Sequence, residues 1–240
     1  MNDRPDDTVP GRAVLAAADV HIHTCCSDGA ASPNEVARVL AASSLAVAAV
    51  TDHDTVGGAL RVREALAGRG PEIVIGCEVS SADGHVLALF VERDVPVGRS
   101  ARETVELIHE RGGLAVAVHP YFPVHSVGDL AARLPFDAIE VANGTPLGEM
   151  ANRLARRRLA HLGRAALGGS DAHLLREIGH VRTLFPGRTA ADLRSAIERA
   201  ETRAAFDWRA HVAAAPFRLA REAWRTLPWA RTARSALAET

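Results

Sequence analysis

Apolar runs of strand length recur along this chain, and nearly every one ends on or beside a histidine or a carboxylate. The runs are Val14–Ile22, Leu45–Thr51, Glu72–Val79, His85–Val91, Leu114–His119, Ala138–Ala142 and Arg164–Gly168. Several are apolar almost throughout, the pattern of strands buried on both faces. Helical patterns lie between them. Ser32-Pro33-Asn34-Glu35 has capping-box spacing with proline at the first helical position, opening a helix to about Ser43. Ser100-Ala101-Arg102-Glu103 repeats that spacing before a helix to about Arg111, stopped by Gly112-Gly113. Residues 147–161 read as an Arg-rich amphipathic helix, and Thr189 caps another to about Arg199. Strands alternating with helices predict an α/β fold on a largely parallel sheet, open or closed into a barrel.

The chain has 240 residues, 48% of them hydrophobic, enough for one large domain with a substantial core. Residues 1–12 read as a disordered polar lead and 13–206 as the folded domain. Residues 207–240 read as a helical tail carrying Trp208, Trp224 and Trp229, which packs on the exterior or meets a partner or a membrane surface. A formal net charge of −1 points to neither nucleic acid nor an anionic membrane. The chain contains no lysine, which excludes Schiff-base chemistry and a P-loop. Cys25, Cys26 and Cys77 do not suit a disulfide framework, and a reducing compartment fits them. The lead lacks an apolar signal core, and no run is long and uncharged enough to span a bilayer, so a cytoplasmic protein is expected.

The chemistry lies at the strand ends. The first strand ends Asp19-Val20-His21-Ile22-His23, and residues at i and i+2 of a strand point the same way. Ser27-Asp28-Gly29 follows in the loop. The second strand ends Thr51-Asp52-His53-Asp54, the third Gly76-Cys77-Glu78, a fourth begins at His85, and a later one ends His119-Pro120. Another carries Glu140 and ends near Asn143, and the last ends Gly169-Ser170-Asp171-Ala172-His173. Parallel α/β barrels build active sites at the C-terminal ends of their strands. Imidazole and carboxylate are ligands of divalent ions such as Zn, Mn and Fe.

Any one such histidine is ordinarily a surface or core residue, and His109, His125, His161, His180 and His211 are read that way. The set at successive strand ends is beyond what chance arranges. The expected metal ligands are therefore His21, His23, Asp28, His53, Glu78, His119, Asp171 and His173, with His85 either a ligand or an ordering residue. Asp19 is a candidate to orient a ligand histidine through its second ring nitrogen. Asp52 and Asp54 are candidates for the same role or for capping the next helix, and Asn143 for binding substrate or a water near the ligands. Cys77 is read as core, on the strand face opposite Glu78.

These motifs resemble the PHP (polymerase and histidinol phosphatase) superfamily, most closely its small stand-alone phosphoesterases. The match is carried by Asp19-x-His21-x-His23 with Ser27-Asp28-Gly29, by Thr51-Asp52-His53-Asp54, by His119-Pro120 and by Ser170-Asp171-Ala172-His173, with Gly76-x-Glu78 between. It runs from about residue 17 to about 200. The resemblance implies a distorted (β/α)7 barrel and two or three divalent ions drawn from Mn, Zn, Fe and Mg. It implies one ion on His21, His23, Glu78 and Asp171. A second would sit on Glu78 and His119, with His85 a further candidate, and a third on Asp28, His53 and His173. The segment Tyr121–Pro135 is short where some relatives carry an insertion, and Tyr121-Phe122-Pro123 replaces a basic residue found in some after His-Pro. An open site with an altered phosphate clamp is expected.

The expected reaction is hydrolysis of a phosphate ester by a metal-activated hydroxide, with Glu78, Asp171 and His173 as the catalytic set. The expected partner is a small phosphorylated metabolite or nucleotide, with Arg153, Arg156, Arg157 or Arg176 as candidate clamps for a second phosphate. An exonuclease acting on short oligonucleotide ends and a non-catalytic metal-binding scaffold are the alternatives. Near-neutral charge and few aromatic residues argue against a long nucleic-acid track. Amidohydrolase chemistry with a carboxylated lysine is excluded by the absence of lysine.

Overall fold

The computed structural model describes residues 15–145, 148–207 and Pro216. The expected lead at 1–12, the expected helical tail apart from Asp207 and Pro216, its three tryptophans, and His211 lie outside the described residues. The strands are β1 (Leu15–Asp19), β2 (Val47–Val50), β3 (Glu72–Ser81), β4 (Gly84–Leu89), β5 (Leu114–Ala117), β6 (Ala138–Asn143), β7 (Ala165–Gly169), β8 (Val181–Pro186) and β9 (Arg203–Phe206). The helices are α1 (Pro33–Ala41), α2 (Gly57–Leu66), α3 (Ala101–Glu110), α4 (Leu130–Arg133), α5 (Glu149–Leu159) and α6 (Ala190–Glu198). Among the described residues the strands form one sheet in the order β7-β6-β5-β4-β3-β2-β1-β8-β9. The result is the distorted α/β barrel that the resemblance implies.

Closure falls between β7 and β8. The Thr183 hydroxyl accepts from Gly168 N and donates to Gly168 O, both at 2.9 Å. A Cβ at Gly168 would stand 2.6 Å from the Arg182 carbonyl oxygen, so only glycine permits this approach.

The expected largely parallel sheet needs correction. The pairs β1–β2, β2–β3, β5–β6 and β6–β7 are parallel, but β3–β4, β4–β5, β1–β8 and β8–β9 are antiparallel. Ala82 and Asp83 alone join β3 to β4, too short a link for a crossover, so the chain turns back as a hairpin. Reversal of β4 brings its first residues to the end of the sheet where its parallel neighbours finish.

Sequence signals and structure agree where the signal is local. Ser32 with Glu35, Ser100 with Glu103 and Thr189 with Asp192 form capping boxes at α1, α3 and α6. Helix α2 went unread because no side chain of its own caps it. Its start is held from outside, Asp94 accepting from Val56 N at 2.7 Å. Strands β8 and β9 went unread as well, β8 because polar Arg182 and Thr183 interrupt its apolar residues.

All four residues of β2 and of β5 are buried, which explains their unbroken apolar sequence. Ala48 and Val50 of β2 pack with Val36, Leu40, Val62 and Ile108 beneath the helices. Val47 and Ala49 turn the other way, packing with Leu87, Leu167, Phe185 and Leu193 of α6. Each such Val or Leu contributes about 1.5–3 kcal/mol on burial. These two layers hold the strand ends still.

Candidate metal centre

His21 and His23 extend β1, His53 follows β2, Glu78 lies within β3, His85 opens the reversed β4, His119 follows β5, and Asp171 and His173 follow β7. Pairing continues past the regular strands through the bridges Ile22↔Ala172 and His53↔Glu78, so backbone rather than loop side chains sets these positions. His119 and Asp171 take positive φ, 28° and 51°, conformations that residues with side chains rarely adopt. Backbone strain of this kind concentrates at functional sites.

The nine residues expected as ligands converge. His21 Nε2 and His23 Nε2 face each other at 3.1 Å. Glu78 Oε2 lies 3.2 and 3.3 Å from those two nitrogens, and Asp171 Oδ1 lies 3.5 and 3.2 Å from them. Glu78 Oε1 meets His85 Nδ1 at 2.8 Å and His119 Nε2 at 3.0 Å, while Glu78 Oε2 lies 3.5 Å from His53 Nδ1. Asp28 Oδ1 lies 3.1 Å from His173 Nε2, 3.8 Å from His53 Nε2 and 3.7 Å from His23 Nδ1.

This donor set fits divalent ions. Four ligand atoms around a tetrahedral ion with bonds of about 2.1 Å stand roughly 3.4 Å apart. Among the described residues three groups have ligand atoms within 4.8 Å of one another: His21, His23, Glu78 and Asp171; His23, Asp28, His53 and His173; and His53, Glu78 and His85. The first is the ligand set implied by the resemblance. In the second His23 joins the implied set, and in the third His53 stands where His119 was expected. His119 Nδ1 is buried and has no hydrogen-bond partner among the described residues.

The electrostatics carry the same signature. Burial opposes protonation of His21, and the carboxylates of Asp171, Glu78 and Glu140 more than reverse that, raising its pKa well above the usual imidazole value. His23 is likewise penalised by burial and raised overall, to about 9, by hydrogen bonds to Asp171 and Glu78. Burial raises the carboxyl pKa of Glu78 and of Asp171, but His21 and the other rings hold both well below the ordinary range. His53 is lowered, mainly by burial. These are carboxylates and imidazoles crowded around positions that call for positive charge.

The supporting residues differ from expectation. Asp19 was expected to orient a ligand ring, but it accepts from Ser170 N and Oγ at 3.0 and 2.6 Å, from Gly179 N at 2.8 Å and from His21 N at 3.3 Å. It ties β1 to the loop after β7. Burial raises its pKa to about 6 against those hydrogen bonds. Asp52 neither orients a ring nor caps α2; it accepts from Thr24 N, Thr24 Oγ1 and Ser27 Oγ, each at 2.7 Å, shaping the loop that carries Asp28. Asp54 accepts from Ser80 N and Oγ. Asn143 is buried, donates to Glu140 Oε2 at 2.7 Å and accepts from Thr145 N at 2.7 Å.

The ring-orienting carboxylate is Glu140, which had no assigned role. His21 Nδ1 donates to its Oε1 at 3.0 Å, and His119 N donates to its Oε2 at 2.9 Å. Its signal was a lone carboxylate in the apolar run Ala138-Ile139-Glu140-Val141-Ala142. Thr145 was also unread; its hydroxyl donates to Asp171 Oδ2 at 2.6 Å. Glu177 accepts from His173 N and Leu174 N at 2.8 and 2.9 Å, fixing the turn that carries His173.

The cluster floors a cavity of about 400 Å³ whose far wall includes Phe122, Val124 and His125. None of the four candidate arginine clamps lines it. Arg153 and Arg156 instead bind Glu149, and Arg156 also donates to Val141 O, which holds them on the α5 surface.

The sequence profile described as "PHP domain" matches residues 19–173, and that described as "PHP-associated" matches residues 149–202. An uncharacterized protein of Methanocaldococcus jannaschii is 35% identical over 150 residues, 58% of this chain and 88% of the relative. A 3′,5′-nucleoside bisphosphate phosphatase of Chromobacterium violaceum is 38% identical over 86 residues, 34% of this chain and only 30% of that enzyme. The fold is shared with a two-domain protein of Bacteroides vulgatus containing a predicted PHP-like metal-dependent phosphoesterase, at TM-score 0.67 and 20% identity, covering 81% of this chain and 65% of that one. With a domain profile spanning most of the sequence and its strand-end residues gathered as described, the chain belongs to the PHP domain family.

Proposed function

We propose that this protein is a metal-dependent phosphoesterase that hydrolyses a small phosphate ester. The observation that carries the reading is Glu78, whose two oxygens lie between separate groups of imidazoles: His21 and His23 on one, His85 and His119 on the other. A carboxylate so shared suits adjacent cations, which can together stabilise the attacking and leaving oxygens of an in-line displacement at phosphorus. His21, His23, His53, His85, His119 and His173 with Asp28, Glu78 and Asp171 would hold two or three divalent ions. When bound, the ions supply positive charge for the phosphate oxygens and lower the pKa of a bound water toward about 7.

The chain's own groups do the rest. Glu140 holds His21 in one tautomer and one orientation. Thr145 and Glu177 hold Asp171 and His173 in place. Burial of His21, His23, Glu78 and His119 excludes bulk water from these donors and strengthens their field. A cavity of about 400 Å³ suits a small phosphorylated molecule rather than a long strand. No helix among the described residues is long and apolar enough to cross a membrane.

The test is a panel of p-nitrophenyl phosphate, histidinol phosphate, nucleoside 3′,5′-bisphosphates and short oligonucleotides, assayed with added Mn and again after chelation. Metal-dependent turnover of monoesters is expected. Absence of turnover on every ester, with ions bound, would leave a metal-binding scaffold instead.

A further inference from the structure

The segment after His119 is a built loop. Phe122 N donates to His119 O, Ser126 Oγ to Phe122 O, and Gly128 N to Pro120 O, at 2.9, 2.7 and 2.8 Å. The loop is bolted to β4, because His85 N donates to His125 O at 2.9 Å. Gly84, at φ 131°, is so close to Ser126 that a Cβ would lie 2.5 Å from its carbonyl carbon.

The His125 ring stacks on His85 with centroids 4.9 Å apart and an angle of 8°, yet the residue stays exposed at the cavity mouth. His125 is held there at φ 56°. Phe122 stands edge-on to His119, at 6.2 Å and 64°. Val124 is 55% exposed beside them. Among the described residues no arginine lines this cavity, and Arg158 lies over the Tyr121 ring and binds Asp129. Among the described residues this wall offers aromatic and aliphatic surface and no arginine for a second anionic group.

We infer that Phe122, Val124 and His125 form the leaving-group subsite, and that it takes a flat aromatic ring attached to a single phosphate ester. The inference rests on the phosphoesterase reading for the position of the phosphate, over the ion cluster. The ring then lies against the loop, on the free face of the His85–His125 stack. Ring-on-ring contact of this kind is worth a factor of roughly two to ten in affinity. The reaction balances as hydrolysis: the bond from phosphorus to the leaving oxygen breaks, a bond from phosphorus to a water oxygen forms, and the leaving oxygen ends as a hydroxyl with a proton from water.

Calorimetric titration of the Mn-loaded full chain tests this with two esters' stand-ins that are not hydrolysed, benzylphosphonate and methylphosphonate. They share a head group and differ only in the ring. Benzylphosphonate is expected to bind about tenfold more tightly. His125→Asn keeps a residue that tolerates positive φ but removes the stacking ring, and Phe122→Leu keeps apolar bulk without an aromatic face. Each should reduce the benzyl-to-methyl ratio to about threefold or less, and His125→Phe should restore it. Equal affinities in the wild type, no binding of either phosphonate, or an unchanged ratio in both variants would overturn the proposal. Hydrolysis of phenyl phosphate, adenosine 5′-monophosphate and ribose 5-phosphate then separates aryl from nucleobase sources of the ring. A benzyl preference in binding with no ester hydrolysed would sink the phosphoesterase reading and keep the aromatic subsite.

Discussion

His21 is gripped from both ring nitrogens: Nδ1 donates to Glu140 Oε1 at 3.0 Å, while Nε2 lies 3.2 Å from Glu78 Oε2. The residue is completely buried, so neither contact has a substitute in water. One carboxylate sets the tautomer and the other shares the site the ring faces, an arrangement that raises ligand basicity and fixes ring direction.

Replacing Glu140 with Gln should therefore act on metal affinity more than on fold. The amide keeps a hydrogen bond to His119 N but loses the charge opposite His21. A drop of about 10- to 100-fold in affinity for one ion is expected, read by metal analysis after dialysis against graded chelator. Wild-type retention of every ion would refute the orienting role.

Glu78 and Asp28 should differ in how much they remove. Glu78 touches His21, His23, His53, His85 and His119, so Glu78→Ala should lose more than one ion and reduce hydrolysis to background. Asp28 faces His23, His53 and His173, so Asp28→Ala should lose one. Asp171 belongs to one group, with His21, His23 and Glu78, so Asp171→Ala should lose one ion and most of the hydrolysis with the fold kept. Mass spectrometry of the native protein counts the ions and far-UV circular dichroism checks the fold. Normal turnover with full metal content in either Glu78→Ala or Asp171→Ala would remove these residues from the site.

Chelation should lower the melting temperature. Ions that bind only the folded state stabilise it by about 2.7 kcal/mol at a hundredfold excess over Kd. Identical thermal melts with Mn and with chelator would contradict a cluster built for cations.

Barrel closure can be tested at Gly168→Ala. The added methyl would collide with the Arg182 carbonyl, which is backbone and cannot swing aside. A loss of roughly 1–3 kcal/mol is expected in urea denaturation. An unchanged midpoint would mean that β7 and β8 are free to separate.

Alkaline pH should destabilise the fold through Cys77. Burial raises its thiol pKa from 9.0 to about 12. Because the folded value exceeds the unfolded one, the stabilisation is complete below pH 9. It is lost as pH rises toward 12, where the unfolded chain releases a proton that the folded one retains. Urea midpoints between pH 8 and 10.5 should fall for the wild type and fall less for Cys77→Ala. Parallel slopes would mean that other groups govern the alkaline limb.

Most of the candidate ligands were legible because they belong to short, local patterns: a paired His at the end of β1, His-Pro after β5, Asp-Ala-His after β7. Asp19 and Asp52 were recognised as part of those patterns and misjudged in role. Their partners Ser170, Gly179, Thr24 and Ser27 come together only once loops from different strands meet. His125 looked like an ordinary surface histidine, since nothing in Pro123-Val124-His125 reveals a ring stacked on His85.

Alternating apolar strands and capped helices, and the chemical identity of the donors at the strand ends, are written in the order of residues, because burial periodicity and capping act over a few positions. The reversal of β4 that swings His85 beside His119, the closing of β7 on β8 through Thr183, and the pairing of His21 with Glu140 across 119 residues were settled by packing. Hydrogen-bond partners so far apart along the chain leave no periodic trace. They are chosen by which buried polar groups would otherwise go unpaired when the sheet closes.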